Sequence, residues 1–357
     1  MNELPEIGKL SPGIFSELIF TRLGARSESV IVGPQHGVDV GIIEIGDKAV
    51  ALTTDPVFIV PEYGWERAAW FALHILVSDA VTSGLKPRFL SIDLNLPMEM
   101  TKEQLEIVWN IIHQECRKLG IAIVCGHTGR YENCHYPMVG GATVLSVGER
   151  DEYVTPRMAR AGDRIIITKG PAIEATGIFS AMFPKLIEKE FGASFSERAQ
   201  WVFYDMSVVE DAMTAVSVGV RENGVTAMHD ATECGVWGGL FELAQASGLG
   251  VRVEEELIVV NECVTEICRH FGIDPYASIS EGTLIIACRE DRAREVVQAL
   301  SQKGIASSIV GELTERDRGM ILVEGGKERK LEHPVVDPFW RAFYDALARH
   351  GSLERGP

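Results

Sequence analysis

The chain has 357 residues, which suits two domains of about 150–200 residues better than a single core. Apolar residues make up 46% and charged residues 24%; these globular values exclude a disordered chain, and no apolar run approaches the ~20 residues of a membrane span. The 34 basic and 51 acidic residues give a net charge of −17, which excludes a general nucleic-acid binder and accords with carboxylates holding a hard cation such as Mg²⁺.

The first ten residues, MNELPEIGKL, carry acids where a secretory signal would be basic, which predicts a cytoplasmic protein. Short β-branched runs at 29–32, 39–45 and 49–54, punctuated by Gly46-Asp47, read as strands. A long apolar helix at about 65–83 follows, and Pro87 opens an extended run at 88–96. Thr101 with Gln104 three residues on forms a capping signature for a helix that ends at Gly120. Strands at 121–125 and 138–147 close a first domain, residues 1–155. The second, 156–357, opens with a strand at 164–168 and helices near 172–190 and 207–222. Next come a strand at 225–229, a helix near 236–247, a strand at 250–253 and a helix near 261–271. A strand at 283–288, a helix near 292–303, a strand at 305–310 and a helix from Asp337 complete it. Strands interleaved with helices predict α/β and α+β layers.

The sequence lacks GxxxxGK[ST], an early GxGxxG, GxSxG and HExxH, so the familiar phosphate and hydrolase devices are absent. What remains is a set of aspartates at element ends. Asp39 sits between Gly37 and Gly41, and Asp55 ends a strand ahead of Pro56. Asp79 falls late in the apolar helix, where a carboxylate opposes the macrodipole by ~0.3–1 kcal/mol and calls for a cationic partner. Asp230 follows His229 at a strand end. Singly, each could be an Asx-turn or turn residue; together they could serve one Mg²⁺–polyphosphate site. Two glycine turns are candidates for the anion: Cys125-Gly126-His127-Thr128-Gly129, and the strand-to-helix turn holding Lys169 and Gly170, whose helical N–H groups suit phosphate. Glu174 at that helix start would oppose an anion, and an ordinary tight turn is the alternative for both. Seven cysteines without a CxxC predict free, buried thiols. Cys125, His127, Cys134 and His135 form a candidate zinc cluster, although their spacing matches no common zinc motif.

Read in order, GVDVGII (37–43), TTDPV (53–57), HILVSDAVTSGLKP (74–87), CGHTG (125–129), TKGPAIEATGIF (168–179), HDATECGVWGGLFELAQASGLG (229–250) and DPYASISEGTLIIA (274–287) resemble the aminoimidazole ribonucleotide (AIR) synthase superfamily. The likeness runs from about residue 8 to 312 and is greatest to the HypE-like hydrogenase maturation proteins. It implies an N-terminal domain whose sheets pair into a β-barrel across a homodimer, and a C-terminal α+β domain. It further implies ATP and Mg²⁺ as cofactors, activation of an oxygen of a small-molecule substrate, and a maturation partner protein. Mapped by motif, Asp55, Asp79 and Asp230 take the metal positions, while Asp39, Gly126, His127, Thr128, Lys169 and Gly170 take the ATP and phosphate positions. His127 stands where many relatives have Asp. No cysteine follows Cys288, whereas HypE proteins carry one at the C-terminus, so their carbamoyl dehydration is not the expected reaction. A catalytically reduced nucleotide-binding partner protein is the alternative function.

Overall fold

The computed structural model describes residues 12–351; the first ten residues and the tail after residue 351, on which the leader and terminal-cysteine expectations rest, lie outside them. A helical turn, Pro12–Ile14 (α1), leads into a π-helical stretch, Phe15–Ile19. Three antiparallel strands follow: Val30–Val32 (β1), Gly41–Ile45 (β2) and Lys48–Phe58 (β3). Then come helix Trp65–Val81 (α2), strand Pro87–Leu96 (β4), helix Lys102–Leu119 (α3), and strands Ala122–Arg130 (β5) and Met138–Glu149 (β6). They form one sheet in the order β1-β2-β3-β6-β4-β5, in which β4 and β5 run parallel because α3 returns the chain between them. The capping signature of α3 is present in full. Thr101 Oγ1 accepts from Gln104 N at 3.2 Å, Gln104 Oε1 accepts from Thr101 N at 2.9 Å, and Gly120 ends the helix at φ 75°.

The second half builds a seven-stranded sheet from Arg164–Thr168 (β7), Val225–Asp230 (β8), Gly250–Glu254 (β9), Leu284–Cys288 (β10), Ser307–Thr314 (β11), Met320–Glu324 (β12) and Lys327–Lys330 (β13). Its order is β13-β12-β9-β11-β7-β10-β8. The helices are Ile173–Met182 (α4), Pro184–Phe191 (α5), Ala193–Trp201 (α6), Val209–Ser217 (α7), Gly235–Ser247 (α8), Glu262–Phe271 (α9), Ala293–Gln302 (α10) and Pro338–His350 (α11). Helix α2 packs against β3 and β6 on one side and against α7 and β8 on the other. That explains why its sequence lacks a polar face: a helix enclosed on all sides gains from apolar residues all round. One continuous core joins Val57, Leu76, Leu90 and Val144 of the first sheet region to Ile166, Val208, Met228 and Ile286 of the second.

Several expectations need correction. Among the described residues neither sheet closes: β1 and β5 are the edges of the first sheet, β13 and β8 those of the second, so the expected β-barrel is not formed. Closure would need a first and a last strand to pair, and here they lie at opposite edges. The helix expected at 172–190 breaks between α4 and α5, because Pro184 has no N–H to continue it and starts a new helix instead. The helix expected over 207–222 is shorter, and α6, β12 and β13 were not anticipated. Among the described residues no helix is long and apolar enough to cross a membrane.

Candidate functional site

The four aspartates arrive by different routes. Asp39 stands on the loop before β2. Gly37 lets this loop lie against α8: its φ is 72°, and a Cβ there would come within 2.6 Å of the Glu242 carbonyl oxygen. Asp55 and Thr53, two apart on β3, share the face that looks onto α2. Thr53 Oγ1 donates to Asp79 Oδ2 at 3.2 Å. Asp230, the last residue of β8, donates its backbone N–H to Asp39 Oδ2 at 3.3 Å.

Among the described residues no lysine or arginine forms an ion pair with these aspartates; Asp39 alone has a charged partner, His229. Asp79 has no Lys, Arg or His partner among the described residues, contrary to the macrodipole expectation. Burial, a hydrogen bond shared with Asp55, and the charges of Asp39, Asp55 and Asp230 hold its carboxyl well above the usual range. Burial first and Asp39 second push Asp230 up to about 7, with the neighbouring Glu281 side chain, then His229 and Lys169, opposing. Glu281, in the turn before β10, is held high by burial and then by Asp230, Glu174 and Asp79. Glu174 is pushed up to about 8, mainly by burial, although Glu281 N donates to its Oε2 at 3.1 Å. Asp230 is 1% exposed, and neither carboxylate oxygen meets hydrogen-bond geometry with any described donor; Glu281 lies beside it but does not satisfy it.

The positive group bonded directly to these acids among the described residues is His229. Its Nδ1 lies 2.9 Å from Asp39 Oδ1 and its Nε2 3.0 Å from Glu242 Oε2. Burial opposes a charge on the ring, but the two flanking carboxylates outweigh it and hold His229 well above its ordinary value. As an imidazolium donating from both nitrogens, it ties Asp39 of the first half to α8 of the second.

The other candidates lie elsewhere. Strand pairing continues through Cys125-Gly126-His127-Thr128, so the expected turn is part of β5. A Cβ at Gly126 would meet the Ile92 carbonyl oxygen at 2.1 Å, so this glycine serves strand packing. Registers place Asp55 opposite Ala142, Ala142 opposite Ile92, and Ile92 opposite Gly126. Gly126 is therefore three strands, about 14 Å, from Asp55. His127 and Asp55 fall on opposite faces of the sheet, and the His127 ring pairs with Tyr131 at 2.5 Å. Lys169 turns away from the aspartates: its Nζ donates to the Ser207 carbonyl at 2.7 Å and to Asp211 Oδ2 at 3.0 Å. Gly170 packs on Val259, and two of the N–H groups expected to receive phosphate at the start of α4 are taken, Ile173 N by Ser280 Oγ and Ala175 N by the Ile279 carbonyl.

Sequence reading missed Glu281 and His229 as members of the site. The signals were present, since His229 adjoins Asp230 and Glu281 sits between Ser280 and Gly282 in a turn, but only the fold brings them together. All seven cysteines are free; five are buried, and Cys125 is exposed against expectation. Among the described residues no group of three or more His, Cys, Asp or Glu could by itself hold a metal ion, which removes support from the zinc cluster. The oxygen-rich, buried and partly unsatisfied aspartate cluster nevertheless fits Mg²⁺ carried on a nucleotide, because that ion takes one or two carboxylates and completes its shell with phosphate oxygens and water.

Two halves, each with its own sheet and an acidic seam between them, define a two-domain mixed α/β architecture. Residues 37–154 match the AIR synthase related protein N-terminal domain, and residues 160–324 match the AIR synthase related protein C-terminal domain. The chain belongs to the AIR synthase related family. Homology to the kinases and dehydratases of this family supports an enzyme of the phosphoryl-transfer type. A Methanocaldococcus jannaschii protein provisionally named a hydrogenase expression/formation protein is 24% identical over 339 residues, covering 94% of this chain and 96% of the relative. The carbamoyl dehydratase HypE of Escherichia coli is 26% identical over 306 residues, covering 84% and 86%. A crystal structure of hydrogenase maturation protein HypE in complex with ATP superposes with a TM-score of 0.63 at 21% identity, covering 94% of this chain and 97% of that one, and shares the fold.

Proposed function

We propose that the acidic seam binds Mg²⁺–ATP and that the protein uses it to activate an oxygen of a small substrate. The observation that carries this reading is Asp230, a carboxylate inside the protein with neither oxygen satisfied and with Asp79, Asp39 and Glu281 crowding it. Such a group is costly unless a cation joins it. In this reading Asp55, Asp79 and Asp230 hold the metal. Asp39, fixed by His229, lines the same seam. Bound Mg²⁺–ATP would supply a γ-phosphoryl group with its charge neutralised, and transfer then depends chiefly on positioning. The chain's own residues hold the donor in place, and their burial limits access of water.

The test is calorimetric titration of ATP with and without Mg²⁺, followed by a screen for ADP release with amides, carbamoyl compounds and amino alcohols. Metal-dependent binding with ADP release supports the enzyme. Binding without release under any acceptor would favour the nucleotide-binding partner role in metallocentre maturation. Equal binding with and without metal would remove the seam as the site. We also propose a domain boundary at 155/156 and a homodimer joined along β5. Among the described residues this strand has no neighbour on its outer side, and it carries exposed residues along most of its length, with Val124 55% exposed. A monomeric mass by light scattering at micromolar concentration would refute the dimer.

A further inference from the structure

A cavity of about 800 Å³ opens on the far side of α2 from the aspartates. Trp70 and His74 of α2 line it, and Asp79 lies nine residues beyond Trp70, roughly 180° round the helix. The cavity has an aromatic wall, a buried acceptor and a cationic rim. Trp70 stacks on His74 with centroids 4.1 Å apart and planes at 21°, and Tyr204 meets Trp70 edge-on at 5.2 Å. Burial lowers the His74 pKa, so the ring is neutral and adds a flat surface rather than a charge. Its Nδ1 lies 2.8 Å from Ser207 Oγ, which fixes the wall.

The acceptor is Asp211. It is 2% exposed; Oδ2 takes the Lys169 ammonium, whereas Oδ1 is buried without a hydrogen-bond partner among the described residues. A donor brought by a ligand would satisfy it. At the rim stand Lys86, Lys118 and Lys303. Lys118 pairs with Glu115, and Lys303 lies 3.6 Å from Glu210, a loose and exposed contact that an anion could replace. Asp205 and Glu210 share the lining with these lysines, so Lys86, which has no carboxylate within ion-pair distance among the described residues, and Lys303 are the cations an anion would meet.

We propose that this cavity binds a planar heteroaromatic anion, its ring against the Trp70–His74 wall, a ring N–H donating to Asp211 Oδ1, and a carboxylate or phosphate at the lysine rim. The size suits such a molecule, since small-ligand pockets of about 300–1,000 Å³ combine apolar walls with a few placed polar groups. This site is separate from the acidic seam and does not depend on the nucleotide reading.

The test uses four probes on the full-length protein by calorimetry or ligand-observed NMR. Orotate carries the ring, the N–H and a carboxylate; uridine monophosphate carries a phosphate instead. Uracil lacks the anion, and benzoate lacks the N–H. The expected result is binding of orotate or uridine monophosphate at least tenfold tighter than uracil and benzoate, and the better of the two identifies the anion. The double variant Lys86→Glu/Lys303→Glu, confined to surface side chains, should weaken that binding at least tenfold with an unchanged melting temperature. Asp79→Asn should leave it unaltered, and saturating Mg²⁺–ATP should not displace the probe. Failure of both anionic probes to bind at 5 mM, binding indifferent to the rim variant, or displacement by Mg²⁺–ATP would overturn the proposal. Loss of Mg²⁺–ATP binding alone would count against the nucleotide reading and leave this one standing.

Discussion

Asp230→Asn should stabilise the metal-free protein. The substitution keeps the shape of the side chain and removes a buried charge whose oxygens meet no described donor in hydrogen-bond geometry. The displacement of the Asp230 pKa from 3.8 to about 7 corresponds to about 4 kcal/mol at pH values above both. Because Asp79 and Glu281 compete for the same protons, on the order of 2–4 kcal/mol is the expected gain. For a domain of this size each kcal/mol moves the melting temperature by about 2–4 °C, so the variant should melt on the order of 4–16 °C higher in EDTA at pH 8. The sign with pH follows from linkage. Between pH 4 and 7 the folded protein binds more protons at Asp230 than the unfolded chain, so parental stability falls as pH rises through that window, and the Asn variant should lose much of that slope. Scanning calorimetry from pH 4.5 to 8 in EDTA, repeated in Mg²⁺–ATP, is the assay. With ligand the order should reverse, the parent gaining stability and the variant gaining less. A variant that melts lower than the parent in EDTA at pH 8, or a parent whose midpoint does not depend on pH, would refute the argument.

Asp79→Asn should preserve the fold while lowering metal-dependent ATP affinity at least tenfold, measured by titration; unchanged affinity would detach Asp79 from the site. Gly37→Ala should destabilise by about 2 kcal/mol or more, because it forces a side chain into φ 72° and against the Glu242 carbonyl, and a melting curve equal to the parent's would contradict the packing of the Asp39 loop on α8. In the native protein a thiol reagent should modify Cys125 first and Cys134 more slowly. Cys116, Cys268 and Cys288 should react only after unfolding, being buried with thiols pushed up to about 11, 12 and 12, and peptide mapping distinguishes these outcomes.

Local chemistry determined much of what the sequence revealed. The Thr101–Gln104 box and Gly120 bounded α3 because a cap is written in residues a few positions apart. The apolar run of α2 announced a long helix, and the motif order pointed to the family. The four aspartates stood out as acids at element ends, but one-dimensional spacing could not bring residues 39 and 230 together. That contact follows from packing α8 against the loop at Gly37 and from enclosing α2 between the two sheets. Tertiary structure also decided against sequence-level turn chemistry in two places. Gly126 became a strand position because β4 pairs on through it, and the turn at Lys169 was closed to phosphate because Ser207, Asp211, Ser280 and Ile279 already use its groups. The physical reason is the same throughout. A cap or a periodic face is stabilised by near neighbours in the chain, whereas the charge state and satisfaction of a buried carboxylate depend on everything packed around it.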